Sequence, residues 1–331
     1  MLTLIVSLLM SWYATKLKQA LAQKKSVEAI LAADGTVEYD YEFDEAGEEI
    51  KAAKGPGPAW LRELLGPDQF DTVVHVRVDS AKGMEAVNGL VRVRSLSIDA
   101  REDSEDPLKY LQDIDGLEEL DIDGFITDAG LEHVRELKRL KRLKLSWQAI
   151  GDDQKAREQV TGSGLAALRS CPALRDLTIE NSELPAAALD QIATLSQLEK
   201  LTMSNINSGP TVVFRIDKLT ALRELELWAW TDIENDNSLI VGGIEGIRSL
   251  SRLERLHLSS KAVTDSDVER ISKLPALREL DLSGCSKVDD RAVPLLQRMG
   301  NLRRLSLENT GITAKGAERI DDALPHCRVS Y

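Results

Sequence analysis

A six-residue apolar pattern, Leu-x-x-Leu-x-Leu, recurs along this 331-residue chain and constrains its fold more than any other feature. We call the second apolar position of each copy its anchor. The eleven anchors are Val76, Leu96, Leu120, Leu143, Leu177, Leu201, Leu225, Leu256, Leu280, Leu305 and Cys327. Successive anchors are 20 to 25 residues apart, except for two intervals of 34 and 31 residues. A pattern repeated at this spacing predicts a stack of similar structural units.

Each unit combines a half with the period of a strand and a half with the spacing of a helix. In the first half apolar anchors alternate with charged residues, which places the two kinds on opposite faces of a strand. In the second half apolar residues recur at every third position, as at Leu131, Val134, Leu137 and Leu140. Such a stripe needs a partner surface, so neighbouring units stack. The pattern predicts an α/β solenoid with a curved parallel sheet on its concave side and helices on its convex side.

The link between strand and helix also recurs in similar form. Thr127 and Thr264 are placed to cap the helices that follow, and an aspartate comes after each, where a carboxylate favours a helix N-terminus. Together with Cys285 in the turn after its strand, this link resembles the cysteine-containing class of leucine-rich repeats. That class is known from the substrate-recognition halves of F-box proteins and from many bacterial proteins. The resemblance covers residues 73–331, about 11 repeats, and implies a recognition surface.

The charge of the chain argues against one class of partner. The formal net charge is −13 and the isoelectric point is near 5.0. Proteins that bind a nucleic-acid backbone need a basic stripe, which this composition does not favour. We therefore expect no nucleic-acid partner, and an extended solvated surface accounts for the excess of acidic residues.

The sequence contains no motif of catalytic, cofactor or metal chemistry. Its four histidines lie in different repeats, and no His-Glu-x-x-His, Cys-x-x-Cys or glycine-rich phosphate-binding motif occurs. Cys171, Cys285 and Cys327 are far apart at apolar or turn-lining positions, where buried free thiols are expected. We therefore expect a protein that is not an enzyme and that carries no cofactor.

Residues 1–17 predict attachment to a membrane. Residues 1–14 are apolar apart from small hydroxyl side chains and include Trp12 and Tyr13, residue types favoured at a membrane interface. The stretch is shorter than the ~17–25 residues of a spanning helix, unless Lys16 extends it by snorkelling. A cleaved signal peptide and a buried soluble helix are the alternatives. We expect a single N-terminal helix as the anchor, with the repeats on the cytoplasmic side or, alternatively, exported.

Residues 18–72 predict a helix, a strand and a capping region for the first end of the solenoid. The helix is expected to end at Asp34 and Gly35, with a strand over residues 36–43. The Trp-Leu-x-x-Leu-Leu-Gly sequence that begins at Trp60 completes a head that resembles bacterial membrane-anchored leucine-rich-repeat proteins. The acidic residues of this head lack the spacing of an EF-hand, so a solvated loop is expected rather than a calcium site. They are Asp40, Glu42, Asp44, Glu45, Glu48 and Glu49.

The outward strand positions carry paired opposite charges, which stacking turns into ladders of mixed charge. Such a face either is merely solvated, with ion pairs that add little stability, or selects a complementary protein. On the second interpretation the candidate protein-binding residues of the concave face are Arg223, Glu224, Arg255, His257 and Glu279.

Tryptophans precede the two long intervals of the repeat. Trp147 comes before an insertion at residues 148–159, and Trp228 and Trp230 come before one at residues 231–243. One hypothesis is that each tryptophan packs under its own loop. The other is that Trp147, Trp228 and Trp230 line aromatic rims that bind a partner, because such anchors often dominate binding energy.

These observations predict a non-catalytic, membrane-tethered scaffold that binds a protein through its concave face and one rim. A substrate-recognition subunit of a ubiquitin-ligase-like or effector assembly is one alternative, and a structural envelope protein is another. The identity of the protein partner does not follow from the sequence, and neither does an oligomeric state.

Overall fold

The chain forms one extended sheet with short helices packed behind it, as a computed structural model shows. The structure describes residues 2–44, 49–51, 53–58, 60, 62, 70–100, 106–114, 116–124, 126–147, 162–207, 215–228 and 246–331.

The sheet contains 12 strands, and their order in the sheet is their order along the described chain. Strand β1 runs antiparallel to β2, and every later strand is parallel to its predecessor. Each parallel strand therefore belongs to one repeat of a leucine-rich-repeat solenoid, and the predicted fold class is confirmed. The strands are β1 Thr36–Tyr39, β2 Val73–Val78, β3 Ser95–Ala100, β4 Glu119–Gly124, β5 Arg142–Trp147, β6 Asp176–Glu183, β7 Lys200–Asn207, β8 Glu224–Trp228, β9 Arg255–Ser259, β10 Glu279–Asp281, β11 Arg304–Ser306 and β12 Arg328–Ser330.

The second halves of the repeats are helical as predicted, but several of them are 3-10 helices rather than α-helices. Apolar residues spaced by three lie above one another in a 3-10 helix, which turns once every three residues. The repeat of Leu131 and Val134 shows this, because its α-helix is only one turn long before a 3-10 helix continues. The α-helices are α1 Leu2–Leu31, α2 Ala81–Val87, α3 Asp128–Leu131, α4 Ala186–Ile192, α5 Asp265–Ile271, α6 Val293–Leu296 and α7 Ala314–Ala323. The 3-10 helices are Asp40–Glu42, Pro107–Asp113, Glu132–Glu136, Gly164–Ser170 and Ile247–Ser249.

The core lies between the sheet and these helices and is built from the anchors. Leu256, Leu280 and Leu305 are Cα partners on three successive strands, and each is at most 2% exposed. Their strand neighbours of opposite parity are charged or polar and remain at least partly accessible on the other side of the sheet. We call that solvent-facing side the open sheet face; it corresponds to the concave face of the prediction.

The last anchor is not Cys327, as the sequence pattern suggested, but Val329. Leu305 pairs with Val329 across the sheet. The Cys327 amide donates instead to the Leu324 carbonyl, a turn bond that Leu302 makes to Met299 in the preceding repeat. Cys327 therefore takes the place of the first apolar position, and the last repeat has one residue fewer before its anchor. Leu324 and Cys327 are three residues apart, like the first two apolar positions of the repeat pattern. The sequence pattern therefore assigned Cys327 to the second position, although it occupies the first.

The helix caps and the thiols agree with the sequence prediction. Thr127 caps α3 by accepting a hydrogen bond from the Gly130 amide at 3.0 Å, and Thr264 begins α5 with a capping box that includes Asp267. The three cysteines are free and buried. Burial raises the pKa of Cys171 and of Cys285 to about 11, so both thiols are protonated at neutral pH.

The second half of α1 covers the first edge of the solenoid. Val27 and Ile30 are buried in the core, and the buried Gln23 side chain bonds to the Asp71 carbonyl and the Val73 amide. The helix ends before Asp34, whose positive φ of 60° reverses the chain into β1.

The first half of α1 leaves large apolar side chains in solvent. They include Leu8, Met10, Trp12 and Tyr13, which are 57 to 67% exposed. Among the described residues, no helix contains an apolar stretch long enough to cross a membrane.

Candidate protein-binding face

Register places the outward residues of successive strands in straight rows across the open sheet face. We call the residues at which strands β4 to β12 begin the first row. Their charges alternate in sign from β4 to β11. The first row consists of Glu119, Arg142, Asp176, Lys200, Glu224, Arg255, Glu279, Arg304 and Arg328. The residue two positions further along each strand lies in the second row, which consists of Ser97, Asp121, Lys144, Thr178, Thr202, Glu226, His257, Asp281, Ser306 and Ser330.

The alternation makes each ion pair of the first row a bond between neighbouring repeats. Lys200 lies 2.5 Å from Glu224, Arg304 lies 2.6 Å from Glu279, and Arg255 also pairs with Glu224. The mixed-charge ladder predicted from the sequence is therefore present, but its partners sit on adjacent strands and not within one strand. Aligning the repeats in columns would have shown this, because the sign reverses at every step of the first row from Glu119 to Arg304.

Glu224 is the most enclosed carboxylate of the first row. Only 8% of the residue is exposed, and it accepts hydrogen bonds from Lys200 and Arg255. Burial opposes its ionisation, but hydrogen bonds with Glu226, Lys200 and Arg255 outweigh that effect and lower its pKa from 4.5 to about 2. Glu224 therefore holds two cationic side chains in fixed positions on the face.

His257 joins the second row to an exposed aromatic ring. Its Nε2 atom pairs with Asp281, and its ring meets Trp228 edge to face, with ring centroids 4.7 Å apart. The hydrogen bond with Asp281 raises the pKa of His257, although burial opposes the shift. Trp228 is 41% exposed, so one side of its indole is available to a partner while the other is fixed by His257.

A concavity of about 520 Å³ lies on the face beside this cluster. Titratable side chains from the repeats of five successive strands, β8 to β12, line it; they are Glu224, Glu226, Arg255, His257, Glu279, Asp281, Arg304, Glu308 and Arg328. Arg223 does not line the concavity and pairs instead with Glu254 at 2.6 Å. Four of the five sequence-predicted charged candidates, Glu224, Arg255, His257 and Glu279, are thus brought together. Asp281, Arg304 and Arg328 are neighbours that the sequence prediction missed.

The other half of the face carries an acidic concavity of about 360 Å³. Asp99, Asp121, Asp123 and Glu180 line it together with Lys144. Burial raises the pKa of Asp121, and the charges of Asp123 and Glu180 add to the rise while Lys144 opposes it. Both concavities are therefore lined by more carboxylates than arginine and lysine side chains.

Trp147 and Trp228 have different environments because their strand positions differ in parity. Leu145 points into the core, and Trp147, two residues further along the strand, points the same way. The Nε1 atom of Trp147 donates to the Ile126 carbonyl at 3.1 Å. It is 9% exposed and pairs in register with Gly124, which has no side chain to occupy that space. Trp228 comes one residue after Leu227 and points outward. Counting parity from the last strand leucine is the sequence signal that distinguishes the two.

The burial of Trp147 favours a structural role over a rim that contacts a partner. The binding role of either tryptophan stays a prediction. Trp230 and the two insertions at residues 148–159 and 231–243 lie outside the described residues.

The acidic head contains no recognisable metal centre in its described part. Across the described residues no group of three or more histidine, cysteine, aspartate or glutamate side chains could hold a metal ion. Glu42 accepts a hydrogen bond from the Tyr39 amide at 2.6 Å and so caps the 3-10 helix after β1. Glu45 and Glu48 lie outside the described residues.

Comparison with known proteins finds partial similarity to large leucine-rich-repeat proteins. No protein-family model matches the chain. Receptor-like protein EIX1 from Solanum lycopersicum is 34% identical over 129 residues, which is 39% of this chain and 11% of that protein. NLR family CARD domain-containing protein 4 from Xenopus tropicalis is 23% identical over 196 residues, which is 57% of this chain and 20% of that protein. The chain thus spans only a small part of the length of these curated relatives.

Similar solved structures include two bacterial proteins. The internalin InlF from Listeria monocytogenes is 17% identical, with a TM-score of 0.38 over 78% of this chain and 85% of that one. A protein from Bacteroides fragilis is 16% identical, with a TM-score of 0.39 over 72% of this chain and 66% of that one. By its own repeat and by the parallel sheet that the repeat builds, the chain is a leucine-rich-repeat solenoid.

Proposed function

We propose that this protein is a non-catalytic scaffold that binds a protein partner on its open sheet face. The observation that carries the proposal is the first row, in which charged side chains from nine strands lie in register and several are joined by ion pairs between neighbouring repeats. Complementary arrays of this kind favour specificity and association rate. Trp228 adds an exposed aromatic ring, a residue type that often dominates binding energy.

The proposal is tested by blocking the face without disturbing the core. The partner is first captured with the full chain, and its affinity is then measured for Thr178→Trp, a change in the middle of the second row. We expect binding at least about tenfold weaker, because a bulky side chain there prevents close contact. Asp190→Trp, on the exposed side of α4, is the matched control. Equal losses in both variants, or none in Thr178→Trp, would contradict the proposal.

A second part of the proposal is that the first half of α1 attaches the scaffold to a membrane. The exposed side chains of Leu8, Met10 and Trp12 favour an apolar environment, and Tyr13 stands next to Trp12 as in an interfacial belt. Lys16 and Lys18 follow, where they would meet lipid headgroups.

Flotation of the full chain with anionic lipid vesicles tests this attachment. We expect the chain to float with the vesicles and Leu8→Ser/Trp12→Ser to stay at the bottom of the gradient. Val91→Ser removes an apolar side chain that is 63% exposed on the solenoid and should float like the unaltered chain. The membrane role of α1 would be overturned if both variants still floated, or if both stayed at the bottom of the gradient.

The two alternative functions are distinguished by the partner that each of them requires. A ubiquitin-ligase-like or effector assembly predicts capture of a recruiting subunit together with a substrate. An envelope role predicts capture of other envelope components. We favour the general scaffold because the face offers a binding surface whichever assembly it serves.

A further inference from the structure

We propose that the open sheet face binds an acidic peptide segment of its partner at the end formed by β10 to β12. This inference rests on the proposed scaffold function and specifies the chemistry of what the face recognises. It begins with the point at which the charge alternation of the first row stops. Arg304 and Arg328 are Cα partners on adjacent strands, so two like charges stand where every earlier step pairs opposite ones.

The positions just before these strands add to the positive charge. Arg278 and Arg303 precede β10 and β11, and the Arg303 amide donates to the Arg278 carbonyl at 2.7 Å. We call Arg278, Arg303, Arg304 and Arg328 the arginine end; all four are exposed. The corresponding positions of these strands also include Glu279 and Cys327, so these six positions carry four arginines and one carboxylate. The chain as a whole carries a net charge of −13, which makes this local excess a specific feature of the face.

Among the described residues, Glu279 and Glu308 are two acids that line the concavity with Arg304 and Arg328 and have no histidine partner, and Glu279 lies 2.6 Å from Arg304. Asp281 is engaged by His257, and Glu254 is engaged by Arg223 at 2.6 Å. The four guanidinium groups of the arginine end outnumber the carboxylates of Glu279 and Glu308. Guanidinium donors that remain after such pairing can bind an incoming carboxylate with two parallel hydrogen bonds.

The remainder of the face distinguishes a short acidic peptide from a long polyanion. The acidic concavity of Asp99, Asp121, Asp123 and Glu180 lies on the same face. Between β4 and β12 there are eight strand steps, or about 38 Å at ~4.8 Å per step. A nucleic acid laid along the face would place its phosphates over those carboxylates, but a short acidic segment would not.

Trp228 sets the spacing that the segment should have. It lies four strand steps from Arg328, or about 19 Å across the sheet at ~4.8 Å per step, and four residues further along its strand than the first row, or about 13 Å at ~3.3 Å per residue. The two positions are therefore about 23 Å apart, which an extended peptide spans with about seven residues. The segment we infer therefore carries an apolar residue that packs on Trp228 and carboxylates up to about seven residues away that meet Arg304 and Arg328.

Fluorescence anisotropy with labelled peptides tests the inference on the full chain at low ionic strength. The probe is an eight-residue peptide with leucine first, a glycine-serine spacer and three glutamates last. Comparison probes replace the glutamates with lysines or glutamines, and a single-stranded oligonucleotide serves as the polyanion. We expect the glutamate peptide to bind about tenfold more tightly than the glutamine peptide, and its binding to weaken as salt is added.

Two charge-matched variants locate the site. Arg304→Gln/Arg328→Gln should weaken glutamate-peptide binding about tenfold, the loss expected for one charge-assisted hydrogen bond. Arg298→Gln/Arg319→Gln removes the same charge from exposed positions on the helix side of the neighbouring repeats and should leave binding unchanged. Unfolding curves identify any variant that is merely destabilised, and Arg304→Lys/Arg328→Lys then provides the folded comparison, with weaker binding expected because lysine cannot bind a carboxylate bidentately.

Equal weakening in both glutamine variants, preference for the oligonucleotide, or equal binding of all three peptides would overturn the inference. The proposed scaffold function fails separately, through the partner affinity of Thr178→Trp. A chain that keeps a face-bound partner but ignores the glutamate peptide therefore refutes only the acidic-segment assignment.

Discussion

The indole of Trp228 meets the imidazole of His257 edge to face, with centroids 4.7 Å apart and ring planes inclined by 62°. The Nε2 atom of the same imidazole pairs with Asp281. The exposed indole of Trp228 is therefore positioned by a titratable group, His257. The geometry of the candidate binding site is thereby linked to the protonation of one histidine.

The His257–Asp281 pair should make stability depend on pH. The pKa of His257 in the folded state lies above its ordinary value of 6.5, chiefly through the hydrogen bond with Asp281, and Glu226 and Glu224 add to the shift. The pair therefore stabilises the fold fully below about pH 6.5, and this contribution is lost as pH rises through the folded-state pKa. Urea unfolding of the unaltered chain and of His257→Gln should show a stability difference that shrinks from pH 6 to pH 9. Asp281→Asn should remove that trend, and a pH-independent difference would contradict the assignment.

Glu224 should contribute to stability with the opposite dependence on pH. Its pKa is lowered to about 2, so its contribution is present above the ordinary value of 4.5 and is lost as pH falls towards 2. At pH 7 we expect Glu224→Gln to reduce the free energy of unfolding by about 1–3 kcal/mol, because two cations lose a buried charged acceptor. Glu279→Gln, whose side chain is 32% exposed, should cost less than about 1 kcal/mol. Denaturant unfolding of both variants checks the order, and a larger loss in Glu279→Gln would reverse it.

Adjacent residues of β10 should differ sharply in their effect on folding. Leu280 is 2% exposed and packs in register between Leu256 and Leu305, so Leu280→Ala should cost about 2–5 kcal/mol. Glu279→Ala changes the neighbouring residue on the open sheet face and should cost less than about 1 kcal/mol. Equal losses in a denaturation series would mean that the strand register is wrong.

The register and the anchors could be predicted because burial imposes one strict periodicity on each strand. The anchors from Val76 to Leu305 all lie at their expected strand positions, and Thr127 and Thr264 cap their helices as their types suggest. The last anchor could not be predicted from spacing alone, because Leu324, Cys327 and Val329 fit the pattern in two registers. Hydrogen bonding across the sheet selects Val329.

The candidate site was only partly predictable, because its contacts join residues more than 20 positions apart. Arg223, Glu224, Arg255 and His257 could be proposed from their outward positions. Their partners lie on neighbouring strands, as the Arg255–Glu224 pair shows, and only an alignment of the repeats in columns would bring them together. Strand parity predicts that Trp147 points inward and Trp228 outward. This difference was obscured because both residues come shortly before an insertion.

The two tryptophans should therefore respond differently to replacement by alanine. Trp147→Ala removes a buried ring and its hydrogen bond to the Ile126 carbonyl, so we expect a loss of about 3–5 kcal/mol in unfolding free energy. Trp228→Ala should leave stability within about 1 kcal/mol and weaken partner binding by more than about 1 kcal/mol. Unfolding midpoints measured together with partner affinity separate the two effects. A destabilised Trp228→Ala with unchanged affinity per folded molecule would remove Trp228 from the binding surface.

Site-specific photo-cross-linking tests the location of the binding surface most directly. A photoreactive amino acid is placed in the full chain at Ser97 or Ser306, the first and the last but one residue of the second row, or at Glu85 or Glu318, on the exposed sides of α2 and α7. We predict cross-linked partner from Ser97 and Ser306 and none from Glu85 or Glu318. Cross-linking from the two helix positions with none from the two sheet positions would contradict the assignment of the open sheet face as the site where this protein binds its partner.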